Sequence, residues 1–160
     1  MKVVSDTSPI CYLLLIGEIN LLPALFGSVL IPEAVAAELA DPGATTKIRR
    51  WVAEPPSWIE IRRLQDATPS LANDLTRLHR GEREAIQLAQ EISADLLLLD
   101  EREARRVAEN RDLAITGLVG LLDRAANKGL VDLQVAVARL RKTNFRVHPK
   151  LLAALLRGRA

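Results

Sequence analysis

The run Leu96-Leu97-Leu98-Leu99 constrains this chain more than any other stretch. It is short, uniformly apolar and closed by Asp100. A strand without polar alternation must be covered on both faces, as central strands of parallel sheets are. Parallel strands need crossover connections, usually helices. The flanks supply them: Ala85, Ala89 and Ile92 recur at helical spacing before the run, and Ala104, Val107 and Ala108 line a helix after it.

The rest of the chain repeats this alternation. Lys2 to Ser5 is valine-rich and bounded by Asp6, so it reads as a first strand. Thr7 or Ser8 can cap the helix that follows, with Pro9 at its first position. That helix runs through Ile10, Leu13 and Leu14, and a short one from about Ile19 to Phe26 ends at Gly27. Val29 to Ile31 is a second strand, and Pro32 starts a helix over Glu33 to Leu39. Asp41-Pro42-Gly43 breaks the chain before a helix over 44–53. Trp58 to Ile61 alternates and suits a short edge strand. Thr68-Pro69-Ser70 opens a helix reaching about His79, and Gly81 separates it from a stronger one, Glu82 to Ile92. Glu101 to Asn110 is helical, Leu113 to Ile115 is the last strand, and Thr116-Gly117 leads into a helix ending at Lys128. Leu133, Ala136, Val137 and Leu140 line one final amphipathic helix; Leu151, Leu152, Leu155 and Leu156 line another. The order predicts an α/β three-layer α/β/α sandwich with a mainly parallel sheet. Residues 1–130 would form the domain, and 131–160 a C-terminal helical extension packed on it.

Composition narrows the class. With 49% hydrophobic and 26% charged residues in 160, the chain is globular rather than disordered. One cysteine, Cys11, excludes an intramolecular disulfide and a cysteine-rich zinc site; its apolar neighbours make it a core residue. Two distant histidines, His79 and His148, leave little material for a catalytic triad. The start shows no signal-peptide pattern and no run has bilayer length, so a cytoplasmic location is expected. Aromatic residues are 3% of the chain, which leaves little for base-stacking platforms. Arg139 to Ala160 holds seven Lys or Arg and no Asp or Glu. That segment either attracts phosphates or forms a solvated helix face.

Chemistry points to the carboxylates. In open parallel sheets, ligands bind outside the carboxyl ends of the strands. Asp6 and Asp100 both end apolar strands, and Glu38 and Glu84 lie on nearby helices. Each has a bland alternative: a turn for Asp6, a solvated position for Glu38, dipole complementarity for Glu82 and Glu84, a capping box with Glu103 for Asp100. Together they would repel one another unless a cation neutralised them. Mg²⁺ or Mn²⁺ suits such oxygen ligands and bridges to phosphate. Such a metal activates water and stabilises phosphoryl charge, so phosphodiester cleavage is the expected chemistry.

At this point the residues resemble a family. Val4-Ser5-Asp6-Thr7-Ser8-Pro9, the segment Ile31 to Leu39, Gly81-Glu82-Arg83-Glu84-Ala85-Ile86 and Leu97-Leu98-Leu99-Asp100 look like successive landmarks of a PIN domain, over roughly residues 2–130. The resemblance implies an α/β/α fold whose acidic cluster binds Mg²⁺ or Mn²⁺ and cleaves RNA, with strands one and four as neighbours. It implies Asp6, Glu38, Glu84 and Asp100 as catalytic and metal ligands. Thr7 and Ser8 would orient Asp6 or a water, Glu82 would be a substitute ligand, and Thr116 would touch phosphate or water, or else cap its helix. Arg102, Arg105 and Arg106 would contact RNA, or form a charged outer face. Many PIN domains are VapC-type toxins, so an antitoxin partner and a homodimer are implied as well. Three features depart from the toxin pattern and weigh on that role more than on the metal site. Glu84 stands where the family usually has aspartate, Glu101-Arg102-Glu103 follows Asp100 in place of an aromatic residue, and the chain beyond residue 130 is longer.

Other classes compete. A non-catalytic PIN-like module would bind a protein partner or dimerise through the apolar helices. A haloacid-dehalogenase-like phosphatase would want an acid two residues after Asp6, where Ser8 stands. A receiver domain would want an early acidic pair and a late lysine, which are missing.

Overall fold

The computed structural model describes residues 1–65, 73–146 and 149–157. In chain order the elements are β1 (Val3–Ser5), α1 (Thr7–Leu15), α2 (Leu21–Phe26), β2 (Val29–Pro32), α3 (Glu33–Leu39), α4 (Thr46–Ala53) and β3 (Ile59–Arg62). There follow α5 (Asn73–Thr76), α6 (Arg80–Glu91), β4 (Leu96–Leu98), α7 (Arg102–Asn110), β5 (Ile115–Thr116), α8 (Leu118–Asn127), α9 (Leu133–Arg141) and α10 (Pro149–Arg157). The strands form one five-stranded sheet in the order β3-β2-β1-β4-β5, with every neighbouring pair parallel. Connections run one way from β1 to β2 and the other way from β4 to β5, so the topological switch lies between β1 and β4. There Val3, Val4 and Ser5 pair with Leu96, Leu97 and Leu98.

Alternation along the strands divides the core in two. Val3, Val29, Ile31, Ile59, Leu96 and Leu98 face one layer, where α1, α2, α3, α4, α8 and α9 pack. Val4, Leu30, Leu97 and Leu99 face the other, against α5, α6 and α7. Both faces of the leucine run are thus covered, as its lack of polar residues requires. Leu133, Ala136, Val137 and Leu140 of α9 are all buried in the first layer beside the sheet residues. Tyr12 of α1 meets Phe145 edge to face at 4.9 Å and donates to Asn144 Oδ1 at 2.7 Å, which ties the segment after α9 to the body.

Several boundaries differ from the sequence reading for local reasons. The cap residue of α1 is Asp6, not Thr7 or Ser8, so Pro9 falls within the first turn, where its missing N–H costs nothing. Gly81 does not separate two helices. It lies in the first turn of α6, whose N-cap is His79, closed by a capping box with Glu82. The helix expected from Thr68 falls partly outside the described residues; the described helix before α6 stops at Thr76. The last strand is displaced to Ile115–Thr116, although its ladder begins where Leu97 N–H meets the Ala114 carbonyl at 2.9 Å. On α10, Leu151 is half exposed; the side chains of Leu152, Leu155 and Leu156 lie outside the described residues. Cys11 packs against the first core layer, and burial pushes its thiol up to about 11, which makes it unreactive. Among the described residues, no helix is long and apolar enough to cross a membrane.

Candidate functional site

The two strand-ending aspartates meet at the switch point. Asp6 N–H donates to the Leu98 carbonyl at 3.0 Å, so Asp6 sits against the end of β4. Its side chain is 4% exposed, and Oδ1 has no hydrogen-bond partner. Burial raises its pKa from 3.8 to about 7; the Thr7 N–H opposes this, and the charges of Glu82, Glu38 and Asp100 reinforce it. Asp100 is also raised by burial, against the pull of the Leu118 N–H and of Arg105. Its Oδ1 accepts from Leu118 N–H at 2.9 Å, and its buried Oδ2 has no partner. Asp100 therefore does not cap its own helix. That task falls to Glu101, which accepts from Ala104 N–H at 2.9 Å. Asp100 instead satisfies a free N–H at the start of α8.

Glu38 is held by another helix start. Its Oε1 accepts from the Gly81 N–H at 3.0 Å, and its Oε2 accepts from the Thr7 hydroxyl. The Thr7 hydroxyl thus serves Glu38, while its N–H serves Asp6. A Cβ at residue 81 would lie on the Glu38 carboxyl group, 2.7 Å from its carbon, so only glycine leaves the space. Gly117 plays the same part at α8. A Cβ there would stand 2.7 Å from Asp100 Oδ1 and 3.2 Å from Arg105 Nη1. Neither glycine figured among the expected site residues. The available signal was a glycine at the start of a helical pattern, Gly81 before Glu82 and Gly117 before Leu118, where another side chain could approach the backbone closely.

Glu82 and Glu84 face different neighbours. Two residues apart on a helix, they cannot share a face. Glu82 is 7% exposed, accepts from His79 N–H at 3.3 Å through Oε1, and leaves Oε2 buried without a partner. Its pKa is raised by burial and by Glu101, and its charge acts on Asp6. Glu84 turns away to Arg80 Nε at 2.8 Å and the Ala34 N–H at 3.3 Å. Glu38 of α3 thus satisfies the start of α6, while Glu84 of α6 satisfies the start of α3. The structure does not bring Glu84 to Asp6; it brings Glu82.

Two clefts meet over these acids. One, about 560 Å³, is lined by Asp6, Thr7, Ser8, Glu38, His79, Arg80, Glu82 and Glu101. The other, about 700 Å³, runs along α7 past Asp100, Arg102, Arg105 and Arg106. Arg102 and Arg106 are exposed, while Arg105 is half-buried beside Asp100. Thr116 does not cap α8, whose N-cap is Gly117; its hydroxyl lies over Gly120. Among the described residues, no three His, Cys, Asp or Glu side chains are gathered tightly enough to hold an ion as they stand. The donor set nonetheless suits a hard cation. Three buried carboxylate oxygens, on Asp6, Glu82 and Asp100, lack partners. Unneutralised carboxylates repel, and an unpaired buried oxygen is costly.

Two predictions follow from this geometry. Folded Asp6 holds its proton up to about pH 7, the unfolded chain only to about its ordinary value, so metal-free stability falls as pH rises between them. Asp6→Asn removes that loss. Without metal at pH 8 the variant should melt roughly 5 °C or more above the parent, and the gap should close near pH 4. Thermal melting with excess chelator reads this. Gly81→Ala should melt within about 1 kcal/mol of the parent, because alanine favours the helix. A crystal structure of the variant should show the Glu38 carboxylate displaced from the Gly81 position while the sheet stays unchanged.

The PIN domain family DUF3368 matches residues 2–159, so the likeness extends past residue 130 through the last helices. No curated protein and no solved structure matches the chain. The family match, the all-parallel sheet and the acids at its switch point agree with one another. The chain belongs to the PIN domain family.

Proposed function

We propose that this chain is a divalent-metal-dependent endoribonuclease. PIN domains are generally nucleases, and the fold is a nuclease-like one. The observation that carries the finer reading is the trio of unpartnered, buried carboxylate oxygens on Asp6, Glu82 and Asp100, with Glu38 fixed nearby. A bound Mg²⁺ or Mn²⁺ would supply an activated water and stabilise charge on the phosphoryl oxygens. Asp6, Glu38, Glu82 and Asp100 would hold it.

The protein's own residues do the rest. The starts of α6 and α8 fix Glu38 and Asp100 through the Gly81 and Leu118 N–H groups, so two of the acids are placed before substrate arrives. Thr7 holds the second oxygen of Glu38. Ser8, half-buried at the cleft wall, stands where a hydroxyl can orient a water. Arg105 lines the same crevice as Asp100 and would meet a phosphate oxygen, with Arg102 and Arg106 further along the cleft. RNA as the substrate follows the resemblance. The antitoxin and homodimer it also implies would act away from this chemistry.

The test is cleavage of mixed structured and single-stranded RNAs with Mn²⁺, Mg²⁺ or excess chelator. Wild type should cut only with metal, and Asp6→Asn and Glu82→Gln should each lose about a hundredfold or more. Glu84→Ala should keep activity within about tenfold and instead lose about 1 kcal/mol of stability, as a helix cap does. Equal damage from Glu84→Ala and Glu82→Gln would return the ligand role to Glu84. No cleavage by folded wild type would favour the non-catalytic module.

A further inference from the structure

A further cleft opens beside the acids, sharing Ser8, Asp100 and Arg105 with them but reaching beyond the chemistry above. It holds about 560 Å³ and extends from Asp100, Arg105 and Thr116 to Asn144, Phe145 and Arg146. Ser8 and Glu101 line both this cleft and the acidic one, so the two are continuous. Its size falls within the roughly 300–1,000 Å³ of sites that enclose a small molecule. The chain has only two Trp, two Phe and one Tyr, yet Tyr12 and Phe145 meet here, and both line the cleft. The Tyr12 hydroxyl bond to Asn144 fixes the segment that carries Phe145 and Arg146. Rings, two guanidinium groups and a threonine hydroxyl beside a carboxylate crevice match the parts of a nucleotide: a base with two π-faces and a charged phosphate.

We infer that this cleft binds one unpaired nucleotide flanking the cleaved phosphate, its base against Phe145 and Tyr12 and its phosphate toward Arg105 and Arg146. The inference rests on the nuclease reading and names where on this chain the nucleotide beside the cleaved phosphate would sit. A base inside a duplex has both faces stacked on its neighbours and cannot stack on a ring that lines a cleft. Stacking tolerates any base, so the selection is for unpaired strands more than for sequence. Exposed Arg146 gives the basic C-terminal segment a defined task. Arg139, by contrast, is engaged with Glu18 at 3.4 Å and with the Ile16 carbonyl.

The test uses the full chain carrying Asp6→Asn, with Mg²⁺, and a short fluorescein-labelled RNA offered alone or annealed to its complement. Anisotropy should show the single strand bound more tightly than the duplex. Adding Phe145→Ala or Phe145→Leu should weaken single-strand binding by about tenfold and leave duplex binding unchanged. Leucine fills the space against Tyr12, so rescue by Phe145→Leu would assign Phe145 a packing role and overturn the inference. Equal loss on single strand and duplex would overturn it too. Melting curves identify any variant that fails to fold, and Arg146→Gln, on an exposed side chain, then supplies the readout, with weaker single-strand binding expected. Cleavage by the otherwise native chain is measured in parallel. Cleavage that ignores Phe145 would remove the cleft and leave the nuclease. Phe145-dependent binding without any cleavage would remove the nuclease reading and, with it, the cleaved phosphate to which the inference ties this nucleotide.

Discussion

Pairing β1 directly against β4 forces Asp6 and Asp100 into one buried crevice, because Ser5 is in register with Leu98 and each acid follows its strand. Burial is the largest influence on both carboxyl groups and pushes both upward. A sheet does not gather such groups to gain stability; unneutralised, they oppose folding. A bound cation, as proposed, would remove that opposition. That dependence links topology to chemistry in this fold more directly than any single contact.

The surrounding helices are organised by the same problem. Every helix start leaves N–H groups without intrahelical partners. In this chain three of those starts are satisfied by carboxylates from other elements: α6 by Glu38, α8 by Asp100 and α3 by Glu84. Two of the three acids also border the crevice, so helix capping and site construction use the same side chains. The reciprocal bond between α3 and α6 locks the two helices in register, and Glu82 is carried to Asp6 as a result. Gly81 and Gly117 are the backbone conditions for this, since a methyl group at either would occupy carboxylate space.

Much of this was legible in the residues. The unbroken leucine run ending in Asp100 implied a covered central strand, and the valine run ending in Asp6 implied a second one. Helical spacing of Leu133, Ala136, Val137 and Leu140 marked a face that is indeed buried. What could not be read was which of two acids on one helix turns inward. Glu82 and Glu84 differ only in rotation about α6, and that rotation is set by packing of Ala85, Ile86 and Ala89 against the sheet. The capping box with Glu103 failed for a similar reason: Leu118 N–H, distant in sequence, competes for Asp100 and wins. The pairing of Tyr12 with Phe145 was also hidden, because it forms only through the tertiary fold.

The central claim is that buried, unpartnered carboxylates await a divalent cation. Calorimetric titration of the metal-free protein with Mn²⁺ near pH 6.5, in buffers of different ionisation enthalpy, tests it most directly. The account predicts binding that releases about one proton, because Asp6 is protonated there before the ion arrives, and affinity that rises toward pH 8. Asp6→Asn should abolish both the binding and the proton release. Absence of binding at either pH, or binding unaffected by Asp6→Asn, would contradict it.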